Sequence, residues 1–278
     1  MVGRMKLAAP AKVNLHLRIL GRRPDGFHYI ETLMAPLELA DEVEVELADG
    51  IHVTCDDPSL PSGEDNLAGR AAMAFFAATG GGGARIHIRK RIPSGAGLGG
   101  GSSDAVAVLL ALDKLTGAGL GESKLLELAS SLGSDCPWFL SGKPAICSGR
   151  GELVGPEVKM PELPLLLLKP PFGVPTPWAY SRWSEVSTTG LRADPEVQDL
   201  GWIKIFNSFE GPVFEKFVLL PVMKAWLRER QGVLAAGMSG SGSTIFAVLE
   251  DSARAPKISA EARRMFGNTL WTCATFVS

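Results

Sequence analysis

Pro93-Ser94-Gly95-Ala96-Gly97-Leu98-Gly99-Gly100-Gly101-Ser102-Ser103 crowds five glycines ahead of two serines, leaving backbone amides unshielded where a helix should begin. Upstream, Ala84 to Ile92 alternates Ile86, Ile88 and Ile92 with His87, Arg89 and Arg91, the pattern of a half-buried strand. Downstream, Asp104-Ala105-Val106-Ala107-Val108-Leu109-Leu110-Ala111-Leu112 is apolar and helix-forming, with Ser102 or Ser103 as the expected N-cap and Gly117 as the stop. A helix N-terminus carries unpaired N–H groups and about half a positive charge, so strand, bare amides and helix together make a cradle for phosphate.

Spacing separates the nucleotide sites that share this order of elements. A P-loop needs Lys-Ser or Lys-Thr after its second glycine, and none follows; Gly142-Lys143-Pro144 puts proline in the wrong place. Gly95-x-Gly97-x-x-Gly100 does satisfy the dinucleotide fingerprint. Its feeding strand is charged on one face, however, whereas a Rossmann strand is buried on both and reads as apolar. A merely flexible linker is not usually framed by a strand and a capped apolar helix.

Composition narrows the class. At 278 residues and 46% hydrophobic content, the chain can bury about three quarters of its unfolded surface in one large or two modest domains. A net charge of −2 gives no basic field for nucleic acid, and the arginines between Arg85 and Arg91 read as the solvated face of a strand. Cys55, Cys136, Cys147 and Cys273 lack metal-ligand spacing, which predicts reduced thiols and neither a disulfide framework nor a zinc site. The N-terminus lacks the apolar core of a signal peptide, and Leu165 to Leu168 is too short to span a bilayer. The expectation is a cytoplasmic protein without membrane contact; a monomer and a homodimer are both compatible with the sequence.

Along the chain, Lys12, Asn14, His16 and Arg18 alternate with Val13, Leu15, Leu17 and Ile19, which puts Lys12 and Asn14 on one face of a strand, turned either to a ligand or to water. Pro24-Asp25-Gly26 signals a turn, after which Phe27 and His28 either meet a flat ligand or merely plug the core and cap a turn. Val43, Val45 and Leu47 alternate with glutamates, and Ile51, Val53 and Cys55 with His52 and Thr54, predicting a hairpin around Asp49-Gly50. Asp65 or Asn66 is expected to cap a helix ending at Gly80, and Asp135 to cap one entered through Pro137. Tyr180 could anchor a short helix. Helical pieces at 214–219 and 222–230 are expected to break at Pro221. Strands at 233–236 and 244–250 flank a second run of small residues, Gly237-Met238-Ser239-Gly240-Ser241-Gly242-Ser243, followed by a helix at 252–266 and a strand at 270–277.

Three of these stretches together resemble the GHMP kinase superfamily over nearly the whole chain: Pro10-Ala11-Lys12-Val13-Asn14-Leu15-His16-Leu17 as its first motif, the 93–103 loop as its second and 237–243 as its third. The resemblance implies an α+β fold of two domains with the active site in the cleft between them. Residues 1–152 would form an N-terminal ribosomal-protein-S5-like domain carrying the ATP loop, and 153–278 a C-terminal ferredoxin-like domain. It further implies ATP and Mg²⁺ as cofactors, with Asp135 as general base and Lys12 offsetting negative charge. An aspartate of ordinary pKa, about 3.9, is already ionised at neutral pH. The triphosphate would lie in the loop from Pro93 through Ser103, on the amides of Gly95 to Ser103, with Ser102 or Ser103 helping to hold the metal and Asn66 lining the adenine pocket. Asp25-Gly26-Phe27-His28 with the Lys12/Asn14 pair resembles the branch that phosphorylates a cytidyl-bearing alcohol. On that reading Asn14 positions the hydroxyl, Phe27 and Tyr180 stack on either side of the base, His28 hydrogen-bonds it, and Gly240 closes from the opposite side. The alternatives are a homoserine- or mevalonate-type kinase of the superfamily, a nucleotide-binding protein without catalysis, and a dinucleotide-dependent oxidoreductase. Having both Lys12 and Asp135 argues against a non-catalytic protein.

Overall fold

Two long strands, β1 (Arg4–Arg22) and β2 (His28–Leu47), run antiparallel through the whole molecule and carry the rest of it. The Pro24-Asp25-Gly26 segment turns the chain between them, with Gly26 at φ +88°. The computed structural model describes residues 3–58, 60–61, 63–188 and 195–277. In chain order there follow β3 (Ile51–Cys55), α1 (Leu67–Thr79), β4 (Ala84–Arg89), α2 (Gly100–Thr116), α3 (Glu122–Leu132), α4 (Cys136–Ser141), β5 (Ala145–Ser148), β6 (Leu153–Glu157) and β7 (Leu163–Lys169). Then come α5 (Thr176–Thr188), β8 (Gln198–Asp199), β9 (Lys204–Asn207), α6 (Glu210–Lys216), α7 (Leu219–Arg228), β10 (Val233–Met238), β11 (Ile245–Leu249), α8 (Ala255–Phe266) and β12 (Trp271–Val277).

The strands join in one mixed sheet in the order β10-β11-β7-β12-β2-β1-β9-β8, while β4 and β5 pair with β2 off this path. This is the expected α+β class. Apolar side chains collect in three clusters. One packs α1, α2 and α4 on β2 and β4, through residues such as Phe75, Val108, Trp138 and Ile86. Another packs α5 to α8 on β7, β10 and β11, through Trp183, Met223 and Ile258. The third draws Val13, Leu15, Ile92 and Leu98 together with Leu165, Phe246 and Val277, so both halves of the chain share it. The expected cut at residue 152 falls between β5 and β6, which pair antiparallel across it. Among the described residues no helix is long and apolar enough to cross a membrane.

Three local expectations are corrected. The hairpin around Asp49-Gly50 does not form: β3 pairs in parallel with β4, and β4 lies between β3 and β2. The reason is burial: Val43 and Val45 of β2 sit opposite Ile88 and Ile86 of β4, all four fully buried, and charge on the outer face follows the same register. Glu42 and Glu46 of β2 sit opposite Arg89 and Arg85 of β4 and make ion pairs with them, while Glu42 and Glu44 also reach Lys6 on β1. Neither edge of β2 is left for β3. Secondly, the α6–α7 break comes at Phe217 and Val218, and Pro221 lies in the first turn of α7, where a missing N–H costs nothing. Thirdly, α2 starts at Gly100, so neither Ser102 nor Ser103 caps it.

Candidate active site

Residues 11–15 of β1 are buried on both faces, since the sheet lies behind them and the glycine loops in front. Lys12 and Asn14 are only 4% and 3% exposed, which removes the reading in which they face water. The Lys12 ammonium donates to Asn14 Oδ1, the Asn14 amide donates to Thr32 Oγ1 at 2.8 Å, and the Thr32 hydroxyl donates to the His16 carbonyl at 2.7 Å. This chain fixes which way the Asn14 amide points, and so aims Lys12. Lys12 Nζ then lies 3.5 Å from Asp135 Oδ2. Asp135 occupies the boundary position of α4 in a helical conformation (φ −81°, ψ −20°), and its side chain makes no cap bond. Capping therefore does not explain it; its carboxylate is 36% exposed toward the cleft.

The 93–103 loop is stitched to this pair. Lys12 N–H donates to Leu98 O at 2.9 Å, Thr244 N–H to Ala96 O at 3.2 Å and Ser239 Oγ to Gly97 O at 2.9 Å, while Ser239 Oγ also accepts from Asn14 N–H at 3.2 Å. Gly97 has φ +74°, and a Cβ there would lie 2.2 Å from Ser239 O, so no other residue fits. Gly99 sits in the left-handed region (φ +73°) at the head of α2 without a side-chain cap, which leaves the first amides of that helix available to a ligand. Gly240 (φ +55°) brings the third loop onto the pair, its added Cβ falling 3.2 Å from Asn14 Oδ1 and 3.4 Å from Lys12 Nζ.

One cavity of about 1040 Å³ receives Pro93 through Ser102, Lys12, Asn14, Asn66, Asp135 and Gly240. Ser103 does not line it: at 2% exposure it is buried in the helix behind the loop, so Ser102 alone of the two metal candidates reaches the cavity. Asn66 caps α1, accepting from Ala68 N–H at 3.0 Å, and also borders the cavity. Among the described residues there is no group of three or more His, Cys, Asp or Glu that could hold a metal by itself.

At the far end, Phe27 is 51% exposed under the Arg150 guanidinium, 4.7 Å from its ring, and so plugs no core gap. His28 stacks on Tyr180 (4.9 Å, 22°), meets Trp183 edge-on at 5.5 Å and lies 2.7 Å from Ser184 Oγ. Burial, with the Arg22 charge behind it, holds the His28 imidazole below its ordinary pKa, so it is neutral at pH 7. Tyr180 packs edge-on against Phe209 at 4.7 Å, and burial, then the Asp135 charge, pushes its phenol up.

One cluster in the wall escaped the sequence reading. Lys90 bonds Asp41 and, at 2.8 Å, Asp104, while Asp41 Oδ1 accepts the N–H groups of Arg91 and Ile92 just before the loop. Burial pulls Lys90 down, yet the two carboxylates outweigh it and leave it above its ordinary value. Asp104 is pushed up to about 7 by burial, Lys90 opposing and Asp41 adding to the rise. Its Oδ1 is buried without a partner.

The model for the GHMP kinases N terminal domain matches residues 66–143, and that for GHMP kinases C terminal matches residues 202–268. The 4-diphosphocytidyl-2-C-methyl-D-erythritol kinase of Methylacidiphilum infernorum is 43% identical over 86% of this chain and 84% of its own. That of Prochlorococcus marinus is 38% identical over 97% and 93%. A crystal structure of 4-(cytidine 5'-diphospho)-2C-methyl-D-erythritol kinase superposes with a TM-score of 0.78 at 39% identity, covering 99% of this chain and 100% of that one.

Proposed function

The chain belongs to the GHMP kinase family, and on that premise we propose that it transfers the terminal phosphoryl group of ATP to the 2-hydroxyl of 4-(cytidine 5'-diphospho)-2-C-methyl-D-erythritol, in the non-mevalonate isoprenoid pathway of the cytoplasm. The observation that carries this reading is the Lys12–Asp135 pair, 3.5 Å apart, in the same cavity as the bare amides of the glycine loop. Phosphoryl transfer needs little covalent chemistry and much positioning of charge. Asp135 accepts the proton of the attacking hydroxyl, Lys12 offsets the negative charge that develops, and Asn14 positions the hydroxyl. The amides of residues 95–102 and the N-terminus of α2 hold the triphosphate, with Asn66 at the adenine. The Ser102 hydroxyl is a hard oxygen donor in the same cavity as the loop, and would hold Mg²⁺ together with the phosphate oxygens. When bound, that ion neutralises charge on the phosphates. The cytosine lies between Phe27 and Tyr180, with the neutral imidazole of His28, set beside Tyr180, bonding its edge and Gly240 closing beside the reacting hydroxyl.

We place the end of the first domain at Glu157, because a cut at 152 would part β6 from its only pairing partner among the described residues. A panel of alcohols with ATP and Mg²⁺ tests the function. Phosphate should appear on the cytidyl-bearing alcohol, and equal turnover of homoserine or mevalonate would refute the specificity.

A further inference from the structure

The third glycine loop is held from behind by polar side chains that touch neither the cavity nor, in the reading above, any reacting group. Asn207, 1% exposed at the end of β9, donates both amide hydrogens to the loop, to Met238 O at 2.6 Å and Gly240 O at 2.8 Å. Its Oδ1 accepts Phe209 N–H at 2.9 Å, which fixes the amide's orientation. One residue along the loop wall, Glu210 accepts Met238 N–H at 3.0 Å through one oxygen and Lys224 at 2.7 Å through the other. A buried amide with every strong bond used is expensive to build and sits rigidly. Moreover, β9 pairs in parallel with β1 at Leu17–Asn207, so the brace is anchored to the strand that carries Lys12 and Asn14.

The geometry has a directional consequence. Across a trans peptide the carbonyl and the following N–H point opposite ways. The Met238–Ser239 unit obeys this: Met238 O goes back to Asn207, and Ser239 N–H goes forward to Thr244 O at 3.0 Å. Gly240 O is likewise drawn back to Asn207, but the Ser241 N–H opposite it has no partner among the described residues, and Gly240 and Ser241 both border the cavity. We infer that Asn207 is a positioning residue which, by holding the Gly240 carbonyl outward, aims the Ser241 amide N–H into the cleft as a donor to a phosphoryl oxygen. That oxygen belongs either to the ATP triphosphate or to the diphosphate of the acceptor, on the kinase reading given above.

The test is spectroscopic first and kinetic second. In the full chain labelled with ¹⁵N-serine, the Ser241 resonance is identified by its loss in Ser241→Ala. Inorganic pyrophosphate, the probe, should move it in the wild type and leave it in place in Asn207→Ala. Absence of any movement in the wild type overturns the inference whether or not Asn207→Ala folds, and equal movement in both proteins overturns it too. This result is independent of whether the chain phosphorylates the cytidyl alcohol, so the two readings fail separately. Where wild-type turnover is seen, Asn207→Ala and the milder Asn207→Ser should raise one KM by about tenfold, the lower end for a hydrogen bond to a charged group. A rise in the KM for ATP assigns the oxygen to the triphosphate, and a rise in that for the alcohol assigns it to the acceptor. A loss of thermal stability with both KM values and kcat unchanged would reduce Asn207 to a structural residue and overturn the inference.

Discussion

Lys12 meets Asp135 at 3.5 Å across the mouth of the cleft, with a carboxylate 36% exposed, whereas a few residues away Lys90 is clamped between Asp41 and Asp104 with hardly any exposure on any of the three. Both sets border the same cavity through their lysines and through Asp135 and Asp104. The difference lies in what each group still has free. Asp135 makes no cap bond and its carboxylate opens to the cleft, so one face of it is free to take a hydroxyl proton while Lys12 keeps its bond to Asn14. Asp41 has both oxygens committed, to Arg91 and Ile92 N–H on one side and Lys90 on the other. The first set is arranged for chemistry; the second fastens the entry of the glycine loop to β2 and α2.

Substitutions should therefore separate turnover from stability. Asp135→Asn removes the base while preserving shape, and kcat should fall by about 10² to 10⁴ with ATP binding and melting temperature nearly unchanged. Turnover close to wild type would take Asp135 out of the mechanism. Lys90→Met should do the reverse. It strands two buried carboxylates, and breaking a buried pair in this way costs about 3 to 5 kcal/mol, to be read as a lower urea midpoint, with kcat per folded molecule changed much less than in Asp135→Asn. A Lys90 variant of normal stability and hundredfold lower kcat would invert the comparison.

How far the sequence revealed these two sets follows from periodicity. Lys12 and Asn14 were visible as one face of a strand, but alternation alone left water and ligand equal, because only the packing of the glycine loops on β1 buries that face. Asp41 carried a signal that went unread. It shares parity with Val43 and Val45, both fully buried, so an acid on the core face of β2 was already written in the pattern. Lys90 sits where the alternation of β4 stops, and Asp104 inside an apolar helix; neither has a local signature. The same holds for strand pairing. Asp49-Gly50 is a sound turn signal, yet the long-range burial of Val43 and Val45 against Ile88 and Ile86 of β4 overrode the local preference for a hairpin. Asn207 and Glu210 act on residues some thirty positions away, beyond any window of local pattern.

The clamp is itself uneven, and pH exposes which carboxylate strains it. The buried charges of Lys90 and its two carboxylates sum to one negative, and Asp104, with one oxygen unpartnered among the described residues and a pKa pushed up to about 7, bears the excess. The native state thus binds the Asp104 proton more tightly than the unfolded chain, whose aspartates titrate near 3.9. That contribution to stability is whole below about pH 4, declines as pH rises through the interval, and is lost above about 7. Asparagine imitates the protonated acid at every pH and leaves Lys90 with one full partner. Asp104→Asn should therefore match the wild type below about pH 4 and gain on it steadily up to about pH 7, by a few kcal/mol (about 1.4 for each pH unit between the two pKa values) at pH 8, where the advantage levels off. Urea midpoints of the two proteins from pH 5 to 8 measure this. A variant that loses ground as pH rises would mean that Asp104 stays ionised and pairs profitably with Lys90, making the clamp a balanced salt bridge and narrowing its contrast with Lys12 and Asp135.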